Sequence, residues 1–299
     1  MKAICQTGSF EAFSMYNAIY VDKTELIYSL VSLPNRIFIS RPRRFGKSLT
    51  LDTIATLFET GVEPYFKGTW IYDKWTEPTY PVLRLNFLNF DKNSLEKFNN
   101  KLNSKITEFA ELNHVTTFKE KEEAEDSIDH LLEQLRLENR QIVILIDEYD
   151  CQMTANINNE TLYKQFQEKI KSFYANLKDK LAIKFLGITG VTRLKDVEIF
   201  SIGSDINDIT NDSAYSQMIG FTRDEIKKFY IDYLKLAASY ENNCNVDEVT
   251  DTQIESLLDR LAQNYDGYCF DEFYKKKVFS TWSVNKFFQS VVSNKFVYF

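Results

Sequence analysis

Histidine is nearly absent from this 299-residue sequence, with only His114 and His130, and its four cysteines, Cys5, Cys151, Cys244 and Cys269, form no CxxC pair. Zinc sites need those residue types at recurrent spacing, so zinc chemistry finds no support. The irregular spacing suits free thiols in a reducing compartment, not a disulfide framework. No GxSxG turn occurs, which argues against a nucleophile-elbow hydrolase. Nine glycines and five prolines leave little room for long flexible linkers. No apolar run approaches the roughly 20 residues of a membrane span. The opening MKAICQTGSFEAFSMYN has no sustained apolar core and carries Glu11, so it does not fit a signal peptide. These absences predict a cytoplasmic protein without membrane attachment. A net charge of −7 excludes a general nucleic-acid coat.

What is present is ordinary globular material: 44% hydrophobic and 26% charged residues, enough for a large core. Short apolar runs alternate with helical periodicity. Strands are predicted at 36–40 (RIFIS), 81–87 (PVLRLNF), 141–146 (QIVILI) and 183–189 (IKFLGIT), with SQMIGF, 216–221, as a fifth. Helices are predicted at 22–32, 47–59, 94–112, 117–139 and 161–181. Thr222 to Glu225 reads as a capping box with Phe221 and Ile226 as a staple, opening helices at 224–239 and 252–265. A short hairpin around Tyr268–Phe279 and a helix from about Ser283 to the end complete the pattern. The expectation is an α/β fold, a mainly parallel sheet with flanking helices over 1–221, followed by a helical, lid-like subdomain over 222–299. The apolar ending around Phe296 and Val297 suits a fragment of a longer protein, or an end that something covers.

Three constellations carry chemistry. In RIFISRPRRFGKSLTL a strand feeds a turn and Gly46-Lys47-Ser48 opens a helix, the arrangement that points backbone amides at a phosphate. Lys47, expected as an exposed loop lysine, would reach the β- and γ-phosphates and the Ser48 hydroxyl would bind Mg²⁺. The pattern GxxxxGK[ST] has Arg41 at its first glycine, and the tripeptide alone also fits a plain helix start. In VILIDEYD, Asp147 ends a buried strand where it could hold the ion, and Glu148 could activate a water. Ser48 and Asp147 are expected on adjacent strands at the sheet's C-terminal edge, one hydrated Mg²⁺ apart, roughly 4–7 Å. In GITGVTR, Thr189 could sense the γ-phosphate and Arg193 could act as a finger, a surface arginine being the equal alternative. Arg43 and Arg44 would add phosphate charge or dock on the acids near Asp147. Lys275-Lys276-Lys277 reads as a solvated turn.

YVDKTELIYSL, SRPRRFGKSLTL, YFKGTWIYDKW…YPVLRLNF, LIDEYD, TGVTRLKDVEIFS and NYDGYCF together resemble the AAA-ATPase-like family, in order and over nearly the whole chain. The resemblance implies a P-loop NTPase fold of the ASCE/AAA-like kind, with ATP and Mg²⁺ as ligands. It makes SRPRRFGKS that family's own form of the loop, so Arg41, Pro42, Arg43, Arg44, Phe45, Gly46, Lys47, Ser48 and Leu49 are carried over as nucleotide-binding. Ser48 and Asp147 become the metal residues, and Lys47 and Glu148 catalytic ones; Thr189 and Arg193 join the catalytic candidates on the reading of GITGVTR alone. YVDKT resembles an element near the adenine in related ATPases, which brings in Tyr20 and Asp22. Family members often carry a PD-(D/E)XK nuclease-like domain after the ATPase. Its acid–lysine core is not found in these residues, so nucleic acid enters as a partner only through that domain.

Two functions follow. One is an ATP-hydrolysing switch or regulatory module, favoured by Glu148 directly after Asp147. The other is a nucleotide-gated interaction module with little turnover, favoured by Arg41 in place of glycine. A small-molecule kinase would need an Arg-rich lid that is not seen, and no NKxD motif supports a GTPase. Self-association or a protein partner is left open.

Overall fold

A computed structural model describes residues 1–33, 35–193 and 205–293. Five strands form a parallel sheet: β1 (Asn35–Ser40), β2 (Val82–Asn86), β3 (Ile142–Asp147), β4 (Ile183–Gly190) and β5 (Asn207–Asp208), in the spatial order 2-3-4-1-5. Strand alternation divides the core. Ile37 and Ile39 of β1, with Val143 and Leu145 of β3, face one side, packed against α2 (Thr24–Val31) and α3 (Lys47–Thr60). Phe38, Ile142, Ile144 and Ile146 face the other, packed against α4 (Leu95–Leu112), α5 (Ala124–Leu137) and α7 (Glu160–Ala175). Both faces are covered, which is why β3 reads as an unbroken apolar run up to Asp147 and why β4 is buried along its whole length. Short helices α1 (Glu11–Met15) and α6 (Cys151–Ala155) complete this part.

Beyond the sheet, α8 (Arg223–Phe229), α9 (Ile231–Asn242), α10 (Asp251–Tyr265) and α11 (Thr281–Val292) share a third apolar cluster, to which Ile19 and Val21 of the N-terminal segment also belong. The antiparallel hairpin β6 (Asp266–Cys269) and β7 (Lys277–Phe279) lies between α10 and α11. The Thr222–Glu225 capping box is present, with both reciprocal hydrogen bonds made.

The structure corrects several expectations. Residues 216–221 are not the fifth strand. Met218 and Ile219 are buried, but Gly220 sits at φ 106° and Phe221 makes only a single bridge to Phe279. The fifth strand is the two-residue, polar β5, too short and hydrophilic to register as apolar alternation. The 224–239 helix breaks at Tyr230 into α8 and α9. The 161–181 helix ends at Ala175, and Leu181 is exposed. The strands carrying the loop and Asp147 are not adjacent: β4 lies between β1 and β3. Chain order does not encode spatial order in a crossover sheet, so strand neighbours had to come from the coordinates. The expectations for 194–201, at the end of TGVTRLKDVEIFS, and for the last six residues lie outside the described residues.

Candidate nucleotide site

The turn after β1 is built around two left-handed residues, Arg44 at φ 71° and Gly46 at φ 107°. Glycine adopts that conformation without a Cβ penalty. It caps α3, and Thr50 N–H donates to the Gly46 carbonyl at 2.9 Å. Turns of this kind can present successive amides to an anion. A cavity of about 490 Å³ opens beside it, lined by Arg43 through Thr50, by Glu148, by Tyr20 and Val21 of the N-terminal segment, and by Tyr230, Thr281, Trp282 and Asn285 of the helical part. Charged and hydroxyl groups from the turn meet apolar walls such as Phe13, Ile19, Ile27 and Phe221, the mixture expected where a ligand has one ionic end and one apolar end.

Lys47 is buried, 4% exposed, so the picture of a solvent-exposed loop lysine is corrected. Its ammonium donates to the Arg41 carbonyl at 3.1 Å and the Pro42 carbonyl at 3.4 Å, and lies 3.6 Å from the Glu148 carboxylate. These oxygens surround the buried charge. Ser48 Oγ donates to Asp147 Oδ2 at 2.5 Å. The expected gap of 4–7 Å is therefore closed by direct contact. Thr189, on the intervening β4, donates to the other carboxylate oxygen, and Glu148 N–H adds a third bond at 3.0 Å. Asp147 thus ties three elements together from a buried strand end. Glu148 sits at φ 54°, a conformation that costs a non-glycine residue roughly 1–2 kcal/mol and that recurs at functional sites.

Other expected residues lie elsewhere. Arg41 is 1% exposed and does not line the cavity. Its guanidinium donates to the Ser40 and Thr210 carbonyls and stacks over Phe270 at 4.0 Å. Burial lowers its pKa to about 9, with Asp208 opposing and Arg193 adding to the shift. Pro42 contributes its carbonyl to Lys47 but no cavity wall. Asp22 is spent on local structure, accepting from Thr24 N–H and hydroxyl and from Trp70 N–H. Arg193 lies beside Asn211 and near Arg41 and does not line the cavity. Phe45 lines the cavity only as a buried ring packed edge-on to Tyr268 and Phe270 of the hairpin. Tyr20 lines it with its phenol buried, which raises its pKa, a Thr53 hydrogen bond partly offsetting this. Among the described residues, no group of three or more His, Cys, Asp or Glu side chains could cage a metal. Mg²⁺ needs no such cage, since it is commonly held by one or two protein oxygens and substrate phosphates. The paired hard oxygens of Ser48 and Asp147 fit that requirement.

Sequence reasoning missed Asp150, the last acid of VILIDEYD. It is buried and accepts from Val191 N–H and from Thr192 N–H at 2.7 Å, fastening the chain that leaves β4. It also missed Lys23, whose ammonium bonds Glu225 and the Gln217 carbonyl across to α8. Burial depresses the Lys23 pKa while Glu225 raises it. Gly190 is a third omission. A Cβ there would stand 2.4 Å from the Tyr149 ring and 2.9 Å from the Asp150 carboxylate. Gly190→Ala is therefore expected to destabilise the fold by about 1–3 kcal/mol, read as a lower urea midpoint. An unchanged midpoint would mean that Tyr149 and Asp150 do not hold this edge.

The parallel sheet in this strand order, with a glycine-lysine-serine turn leaving β1 into α3, defines a P-loop-like α/β protein. The chain belongs to the AAA-ATPase-like family, whose model, described as a predicted AAA-ATPase, matches residues 5–200. It is also 33% identical over 215 residues, 69% of this chain, to an uncharacterized protein in the vnfD 5′ region of Azotobacter chroococcum mcd 1. That match spans 40% of the relative's length. No helix among the described residues is long and apolar enough to cross a membrane.

Proposed function

We propose that the cavity binds ATP with Mg²⁺ and that the chain hydrolyses it, with residues 222–299 serving as a lid-like unit of a regulatory switch. The observation that carries this reading is the contact set Lys47–Glu148 and Ser48–Asp147–Thr189, of which Lys47, Ser48 and Glu148 line one cavity. Lys47 leaves the Arg41 and Pro42 carbonyls to take up phosphate charge. Ser48 Oγ and Asp147 would hold Mg²⁺, which when bound supplies charge compensation at the phosphates. Glu148, freed from Lys47, takes a proton from the attacking water. Thr189 orients the Asp147 carboxylate.

A second reading, a nucleotide-gated interaction module with little turnover, has one specific support: Arg193 lies beside Asn211 and near Arg41 and does not line the cavity, so no arginine finger reaches it from that position. Phosphate release from ATP by the purified chain, with and without Mg²⁺, separates the two. Mg²⁺-dependent release supports hydrolysis. Saturable ATP binding without release supports the module.

A further inference from the structure

The cavity has a polar side chain that the loop chemistry does not use. Asn285 lies on α11, in the turn after Thr281 and Trp282. Those two residues brace the phosphate turn: the Thr281 hydroxyl donates to the Arg44 carbonyl at 3.0 Å, Trp282 N–H donates to the same carbonyl at 3.3 Å, and the Arg44 guanidinium stacks over the Trp282 ring at 4.3 Å. One helical turn advances about 5.4 Å. Asn285 therefore lines the cavity beyond the turn, where a nucleotide's uncharged end lies if its phosphates occupy the loop.

Its orientation is fixed. The Tyr230 hydroxyl, buried where α8 meets α9, donates to Asn285 Oδ1 at 2.5 Å. The Tyr230 ring is in turn stacked on Phe288, 5.1 Å between centroids and 16° from parallel, one turn along the same helix. With Oδ1 already accepting from Tyr230, the Nδ2 donor of Asn285 is the amide's unengaged end, making no hydrogen bond to the described residues. A mostly buried amide held as a donor beside apolar walls is an arrangement that recognises a hydrogen-bond acceptor on a flat apolar ligand. The purine ring nitrogens are such acceptors.

We infer that Asn285 is the base-reading residue of this site and Tyr230 its positioning residue. The inference rests on the nucleotide reading and deepens it: α11 touches both ends of the ligand, bracing the phosphate turn with its first turn and reading the base with its second.

The test compares ATP, 2′-deoxyATP and inorganic tripolyphosphate by calorimetry on the wild type, Asn285→Ala, Asn285→Asp and Tyr230→Phe, each first checked for a cooperative melt. Tyr230→Phe removes a single oxygen, so it remains informative if Asn285→Ala does not fold. The expected result is a loss of about tenfold in affinity for ATP and 2′-deoxyATP alike in both Asn285 variants. Tyr230→Phe should lose less, and tripolyphosphate affinity should stay unchanged in all of them. A merely structural role would move tripolyphosphate as well, through Thr281 and Trp282. Equal loss for tripolyphosphate, no loss for ATP, or a loss that vanishes with 2′-deoxyATP overturns the assignment. If wild type binds neither ATP nor tripolyphosphate, the nucleotide reading itself fails and takes the inference with it.

Discussion

Glu148→Gln should keep ATP affinity and lose most phosphate release, by about 10²–10⁴-fold. The amide preserves size and can still hold a water, but it cannot accept the proton. The geometry adds a second expectation. Glu148 lies 3.6 Å from the Lys47 ammonium. Removing its charge frees Lys47 from one competitor, so ATP affinity in the variant should equal or exceed that of the wild type. Turnover equal to wild type would remove Glu148 from the chemistry and leave the binding-module reading.

Asp147 should give the other large effect, split between two variants. The carboxylate accepts from Ser48, Thr189 and Glu148 N–H at a buried strand end. Asp147→Ala leaves those donors without an acceptor and is expected to lower stability by about 2–4 kcal/mol. Asp147→Asn keeps the shape, and its amide can bond both hydroxyls, so it should fold with a smaller loss. Without the negative charge, however, the stimulation by Mg²⁺ should fall on the order of 10³-fold, since metal charge stabilisation is worth several kcal/mol. Titrating Mg²⁺ against phosphate release for both variants, with urea melts alongside, checks the split. A fully Mg²⁺-responsive Asp147→Asn would mean the carboxylate serves only to tie β3 to β4 and α3.

The parts of the fold legible in the sequence were those whose signal is local. The apolar runs of β1, β3 and β4, the 3.6-residue spacing of α3, α4 and α5, and the Thr222–Glu225 cap all depend on residues close in the chain. Lys47, Ser48, Asp147 and Glu148 could be nominated as candidates for the same reason: Lys47 and Ser48 open α3 directly after Gly46, Asp147 ends β3 and Glu148 follows it. Features made by distant segments were not legible. Asp150 reads as one more solvated acid until Val191 and Thr192 are seen to donate to it. Arg41 reads as part of the nucleotide loop until Phe270, more than two hundred residues on, stacks against it. Asp22 reads as a nucleotide contact until Trp70 N–H claims it. Neither the insertion of β4 between β1 and β3 nor the packing of α11 against the phosphate turn has a local signature. The signal that could have suggested the hairpin contact was NYDGYCF itself, an aromatic cluster around a glycine with no amphipathic period to explain it.

The most direct test of the account is calorimetric titration of Mg²⁺·ATP into the wild type and into Lys47→Ala. The Lys47 ammonium is held by two carbonyls and one carboxylate at the start of α3, so its removal should leave a cooperative fold. The account predicts saturable one-to-one binding by the wild type and no measurable binding by the variant. Matching isotherms from the two proteins, or a wild type that takes up no ATP, would contradict it.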